Sequence, residues 1–219
     1  METKQEKIVI TDEWSCMVIM NRIEVDYTES DENSIELQYT GKRPDVYVEF
    51  SPEDPEDLHC LPSVIVTGED TLQYREDVKV IIRHKGLVRL CCCKGGKAVL
   101  HGTIPLSESF LQLDSAVDAK DATIQSEQIE YMVSRSVMHL GGVEAESVQL
   151  SVEDSCQSSI ERLNCSLIDV SLENNCSILL KGHAGEIDMD LGDGCWGDIT
   201  GLTYQDSMFG YAEEGSLKQ

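Results

Sequence analysis

The stretch Val148-Gln149-Leu150-Ser151-Val152-Glu153-Asp154-Ser155-Cys156 sets three apolar residues two apart, then a polar turn, then a small residue eight positions after the first. The same register returns in Ile168-Asp169-Val170-Ser171-Leu172-Glu173-Asn174-Asn175-Cys176 and in Ile187-Asp188-Met189-Asp190-Leu191-Gly192-Asp193-Gly194-Cys195. Alternation with period two marks a strand with one buried face. Upstream, Ile129, Tyr131 and Val133 lead to Val137 in the same way, and weaker copies begin at Val88 and Leu111. The repeats thus start at Val88, Leu111, Ile129, Val148, Ile168 and Ile187, and a last start near Ser207 carries Phe209 and Tyr211. A period of about 20 residues made of two or three short strands has one economical solution, a β-solenoid in which each repeat is a coil stacked on the one before.

Stacking turns equivalent positions into ladders with rungs about 4.8 Å apart. Ser136, Ser155, Asn175 and Gly194 fall in one turn slot, and the Asn and Gly there predict a backbone position of positive φ. Cys156, Cys176 and Cys195 fall in the next slot, with Val137 as their counterpart one coil earlier. The column reads first as small core residues in a narrow interior. A disulfide between neighbouring rungs fits the spacing, whereas one inward column does not present four tetrahedral zinc ligands. In Cys91-Cys92-Cys93 the alternation predicts Cys92 inward with Val88 and Leu90, and Cys91 and Cys93 exposed and readily oxidised.

The chain up to Lys85 alternates too, through Ile8 and Ile10, Ile23, Val25 and Tyr27, Ile35, Leu37 and Tyr39, Val46, Val48 and Phe50, Val64 and Val66, Leu72 and Tyr74, then Val78, Val80 and Ile82. The polar run from Thr28 to Ser34 predicts a hairpin connection, and the stretch from Ser51 to Pro62, with three of the five prolines, a surface loop. The expected fold is all-β: a β-solenoid, like a single-stranded β-helix, of six to seven coils over 86–212, preceded by a continuous strand-rich part over 1–85 and followed by a tail over 213–219. Phe209 and Tyr211 are expected to close the last coil, because an open solenoid end exposes apolar surface and strand edges.

With 41 acidic and 17 basic side chains the formal charge is −24, which argues against nucleic acid and against anionic membrane surfaces. No apolar run is long enough to span a bilayer, so membrane insertion is not expected. The nine cysteines cannot all pair within one chain. The start Met-Glu-Thr-Lys-Gln-Glu-Lys lacks an apolar signal core, which leaves both a cytoplasmic chain and a mature exported chain open.

Carboxylates gather in the last coils, at Asp169, Glu173, Asp188, Asp190, Asp193 and Asp198. Oxygen ligands at this density could hold calcium, with Asp188, Asp190, Asp193 and Asp198 as the candidates. The chain lacks the glycine-rich nonapeptide of a calcium β-roll and the EF-hand loop, so a solvated acidic face is the expected reading and no metal site is assigned. From Ile129 onward the basic residues are Arg135, Arg162, Lys181 and Lys218, too few for the proton abstraction of a lyase cleft. His59, His84, His101, His139 and His183 follow no metal or triad spacing, and Gly95-Gly96 and Gly141-Gly142 fall at coil bends. No catalytic residue and no cofactor are assigned.

The strand-rich opening followed by apolar-x-apolar-x-apolar coils resembles the head GIN domain of the auto-transporter adhesin family. The resemblance is clearest from Lys79 to Leu202, where Val78-Lys79-Val80-Ile81-Ile82 is similar to the lead-in strand and Ile187-Asp188-Met189-Asp190-Leu191-Gly192-Asp193-Gly194 to the repeated strand and turn. This chain departs from that pattern in its cysteines and in bulkier or charged turns where Ser-Gly is usual. The resemblance implies a β-helical, bacterial, usually exported protein, not an enzyme, that binds a glycan or protein ligand at the cell surface or envelope. The rival expectation is an intracellular scaffold that polymerises end to end, a homo-oligomer similar to bactofilins. One coil, Asn175-Cys176-Ser177-Ile178-Leu179-Leu180-Lys181-Gly182, also resembles the β-helix of cyclase-associated protein and tubulin cofactor C.

Overall fold

The computed structural model describes residues 2–52, 61–68, 77–106, 110–211 and 215–219. Leu72, Tyr74, His59 and Cys60 lie outside the described residues, as does most of the loop expected after Ser51. The described chain is all-β, and from Leu90 to Phe209 it winds about six solenoid turns with coils of roughly 20 residues. Its strands are β1 (Thr3–Ile8), β2 (Cys16–Ile19), β3 (Glu24–Glu29), β4 (Ser34–Thr40), β5 (Val46–Ser51), β6 (Ser63–Gly68), β7 (Lys79–His84), β8 (Arg89–Cys93) and β9 (Lys97–Ile104). Then come β10 (Phe110–Leu113), β11 (Ala116–Ser134), β12 (Val137–Glu153), β13 (Gln157–Glu173), β14 (Ser177–Leu191), β15 (Trp196–Thr203), β16 (Asp206–Tyr211) and β17 (Ser216–Lys218).

The long strands β11 to β14 bend, so each coil contributes to three parallel sheets. Face A carries 148–153, 168–173 and 187–191; face B carries 137–140, 157–160 and 177–180; face C carries 143–145, 163–165 and 182–184. Bulky apolar side chains fill the interior in columns: Ile129, Val148, Ile168 and Ile187 on face A, Leu140, Ile160 and Leu180 on face B, and Ile124, Val143 and Leu163 on face C, all buried. Each such side chain, taken out of water on folding, is worth about 1.5–3 kcal/mol.

The register evens out the period. Leu90, Phe110, Tyr131, Leu150, Val170, Met189 and Phe209 stand in one column, one to each coil. The expected repeat start at Leu111 is therefore three positions late: Leu111 pairs with Cys91 and Met132, each three residues after the starts Val88 and Ile129, and Phe110 holds the position equivalent to Tyr131.

The corner between faces A and B sets the coil. Asp154 and Ser155, and Asn174 and Asn175, are consecutive left-handed residues with φ between 59 and 64°, and Gly194 has φ 68°. Ser136 does not share this slot. Its turn is one residue shorter, so Arg135 takes the positive φ (47°) and Ser136 moves into the cysteine slot. Val137 is thereby turned outward on face B, 38% exposed, and is not the counterpart of Cys156.

The column is a hydrogen-bonded ladder as well as a packed one. Ser115 N–H donates to Ser136 Oγ (3.0 Å), Ser136 N–H to Cys156 Sγ (3.2 Å), Cys156 N–H to Cys176 Sγ (3.3 Å) and Cys176 N–H to Cys195 Sγ (3.4 Å). In return Ser136 Oγ, Cys156 Sγ and Cys176 Sγ donate to the carbonyls of Ser134, Glu153 and Glu173 at 2.7, 2.8 and 2.9 Å. A buried backbone N–H left unpaired is costly, and these side chains supply the acceptor at the one corner where the strand ladder is interrupted. The eight described cysteines are free thiols. Cys92 is buried, with its thiol pushed up to about 12 by burial. Cys91 and Cys93, expected to be exposed, are half-buried; hydrogen bonding to Cys16 and then burial hold the Cys91 thiol well above its ordinary range, and burial raises Cys93, so neither is a ready thiolate.

The amino-terminal strands join the same stack out of order. The β2–β3 coil lies between the β6–β7 coil and the β8–β9 coil, with Met17 paired to both Val64 and Leu90 and Val25 to both Val80 and Ala98. The run Thr28 to Ser34 does not close a hairpin: β3 pairs with β7 and β9, while β4 runs antiparallel on β7 and β1 on β4. With β5 antiparallel on β6, these strands cover the first coil. Trp14 stacks on His84 (centroids 3.9 Å apart) and accepts a bond from His84 Nε2 at its carbonyl, 2.9 Å. At the other end Phe209 packs on the core and meets Tyr204 edge-on at 6.2 Å, joined by Leu217. Tyr211, expected to help close this end, stays 52% exposed.

Candidate functional site

The interior is apolar on every coil, so whatever distinguishes one face from another lies in the outward columns. On face A, Glu130, Gln149, Asp169 and Asp188 stack in one column, Ser151, Ser171 and Asp190 in the next, and Glu153 and Glu173 in a third. Partial desolvation by its neighbours holds the exposed Asp169 carboxyl above its ordinary range, helped by the charges of Asp188 and Asp190.

Of the four calcium candidates, Asp188 and Asp190 lie on this face, Asp193 at the corner and Asp198 on face B. Asp190 sits against Gly210 of the next coil. Asp198 accepts the Thr200 hydroxyl (2.7 Å) and N–H (3.0 Å) and pairs with Lys218 (3.1 Å), which hold its carboxyl down at about 2. The four are not brought into one cluster. Among the described residues no group of three or more His, Cys, Asp or Glu is placed to hold a metal ion.

Face B differs. One outward column runs Lys97, Ala116, Val137, Gln157, Ser177, Trp196 and Ser216, and its neighbour runs Val99, Asp118, His139, Ser159, Leu179, Asp198 and Lys218. Between them and the bend into face C lies a shallow groove of about 660 Å³, with Lys120 and Arg162 at one end and Trp196 at the other. Trp196 is 41% exposed. His139 Nδ1 is bonded to Ser159 Oγ at 2.8 Å.

The bend that shapes the groove depends on glycine in two coils. A Cβ at Gly141 would collide with the Lys120 carbonyl oxygen, and at Gly182, where φ is +121°, with that of Leu163. At these two positions only glycine lets the coil approach its predecessor this closely, whereas the coil between them makes the same bend with Glu161-Arg162.

The carboxylates around the groove are paired. Glu161 meets Lys181 at 2.7 Å, Asp118 meets Lys120 at 3.6 Å, and Asp198 meets Lys218 as above. Arg162 is exposed and has no carboxylate partner among the described residues. Of the remaining described histidines, His84 stacks on Trp14, His101 lies 3.2 Å from Asp26, and the exposed His183 bonds Thr203 at 3.2 Å. Sequence reading passed over the groove because its residues come from different coils; aligning outward positions at the repeat period would have placed Val137, Gln157, Ser177 and Trp196 together.

No family profile matches the chain, and no curated protein matches its sequence. Solved structures do match its fold. A candidate adhesin from Parabacteroides merdae is 14% identical with a TM-score of 0.65, covering 99% of this chain and 95% of that one. A candidate adhesin from Bacteroides fragilis is 12% identical at TM-score 0.60 (99% and 96% covered). A protein from Parabacteroides distasonis described as a candidate lipid-binding protein is 12% identical at TM-score 0.62 (99% and 96% covered). At these identities the likeness establishes a shared architecture. Among the described residues no helix is long and apolar enough to cross a membrane.

Proposed function

We propose that this protein is a non-enzymatic, adhesin-like binding module of the bacterial surface or envelope, related to the head GIN domain proteins, and that it engages a glycan or protein ligand through face B. The observation that carries this reading is the groove ending at Trp196: an exposed indole on a rigid sheet, beside serine, glutamine and histidine groups that can fix a ligand's orientation. The architecture shared with proteins described as candidate adhesins supports it. The test is a screen of the purified chain on glycan and surface-protein arrays, repeated with Trp196→Ala. Loss of the recovered ligand with unchanged circular dichroism is expected; undiminished binding by the variant would move the site off face B. Protease shaving of cells producing the full open reading frame tests the location, with cleavage of the chain on intact cells expected.

The alternative, an intracellular scaffold assembled end to end, draws on β16 and β17 as the last rungs, where Met208 and Tyr211 are 63% and 52% exposed. Filaments in electron micrographs of the purified chain at physiological salt would favour it. The charge of −24 opposes that contact.

A further inference from the structure

Charge is distributed unevenly around the carboxyl-terminal coils. Of the four basic residues after Ile129, Arg135 is held at the A–B corner by Asp114 (2.6 Å) and Asp154 (3.4 Å). Lys181 and Lys218 neutralise Glu161 and Asp198 beside the groove, and Lys120 does the same for Asp118. The pairs cancel, so among the described residues Arg162 is left as an unpaired guanidinium at the groove in a strongly acidic protein. A planar guanidinium is the side chain best matched to a carboxylate, through two parallel hydrogen bonds.

The groove's other end is the Trp196 indole, two coils further along the stack, about 10 Å in the axial direction at ordinary strand spacing, and in register with Gln157, five residues before Arg162 along the strand, so the two ends are several sugar rings apart. Between the two lie Gln157, Ser159, Ser177 and Leu179. A sugar ring has one face of C–H groups that suits an aromatic plane and a rim of hydroxyls that suits amide and hydroxyl partners. The floor offers one aromatic platform and no deep pocket for peptide side-chain anchors. Its strands are already paired on both sides, which excludes strand addition there.

We propose that this groove binds an oligosaccharide carrying a carboxylate, of the uronate or sialate class, with Trp196 stacking on a sugar ring and Arg162 pairing with the carboxylate. This rests on the reading of face B as the ligand face. The acidic columns of face A are turned away on another sheet, and at physiological salt their field falls off over roughly 8 Å.

The experiment is calorimetric titration of the full chain with a tetragalacturonate, with a sialyl-oligosaccharide, and with the carboxyl-reduced form of each. The expected result is binding of one acidic glycan at least tenfold tighter than of its reduced form. Arg162→Gln should erase that tenfold difference and leave the weaker affinity intact, while Trp196→Ala should weaken both forms. Which acidic probe binds separates the uronate from the sialate source. Equal affinity for acidic and reduced forms, still lost in Trp196→Ala, would overturn the carboxylate assignment and keep face B as a glycan site. Acidic-glycan binding untouched by Trp196→Ala would overturn the reading of face B itself. Failure of both acidic probes to bind the wild-type chain would overturn the acidic-glycan proposal, and the array screen would then decide face B on other ligands.

Discussion

Faces A and B share coils, strand spacing and interior, yet present opposite surfaces. On face A, Asp169, Asp188 and Asp190 crowd without a lysine or arginine partner among the described residues, and Asp169, exposed but partly desolvated beside them, is held up in pKa. On face B the acids are tied to lysines, and an aromatic ring and a guanidinium stand open. Alternation makes this separation cheap. Inward residues must pack, whereas outward columns are constrained only by their neighbours on the same face. A solenoid can thus carry an acidic, solvated side that keeps the molecule apart from its copies and a quieter side suited to a ligand.

The shared interior is the strongest link between the two faces, and Val170→Asp is the hardest blow to it. An unpaired carboxylate would sit in the column between Leu150 and Met189, and loss of cooperative unfolding is expected, checked by thermal melts. A folded, soluble variant would mean that the column is not closed.

A smaller effect comes from the corner joining the faces. Cys176→Val removes the acceptor for Cys156 N–H and the donor to the Glu173 carbonyl, and should cost about 1–3 kcal/mol in denaturant unfolding. Cys176→Ser should cost clearly less, since serine already occupies this ladder at 136. Equal losses would reduce the ladder to packing alone.

The smallest effect is expected on face A. Because the folded Asp169 pKa is raised, its ionisation costs stability above that pKa, and the cost disappears as pH falls through it. Asp169→Asn should raise the unfolding midpoint slightly at neutral pH, with no gain below the ordinary carboxylate range, measured as unfolding midpoints against pH.

The period and the inward columns were legible from the apolar triplets, because burial repeats itself faithfully along a stack. The phase at Leu111 was not, since Phe110 and Leu111 are both apolar and alternation alone cannot choose between them. Nor was the counterpart of Cys156: a shorter turn moved Ser136 into the slot and rotated Val137 outward. The acids were legible as a solvated group on face A, but Asp198 belongs to another face, held by Thr200 and Lys218. The groove stayed hidden because Arg162 and Trp196 are distant in sequence and come to line one groove only when coils stack.

The threading of the β2–β3 coil between two later coils governs how the chain can be assembled. From β11 onward each turn can wind onto its predecessor as it leaves the ribosome, because its partners lie only one coil back in the sequence. The amino-terminal rungs cannot. β2 and β3 must wait for β6 and β7 to close one edge and for the segments through Ile104 to close the other, and only then can they be enclosed above and below. Open edges over that interval invite mispairing, so the slow step of folding is expected at the amino-terminal rungs.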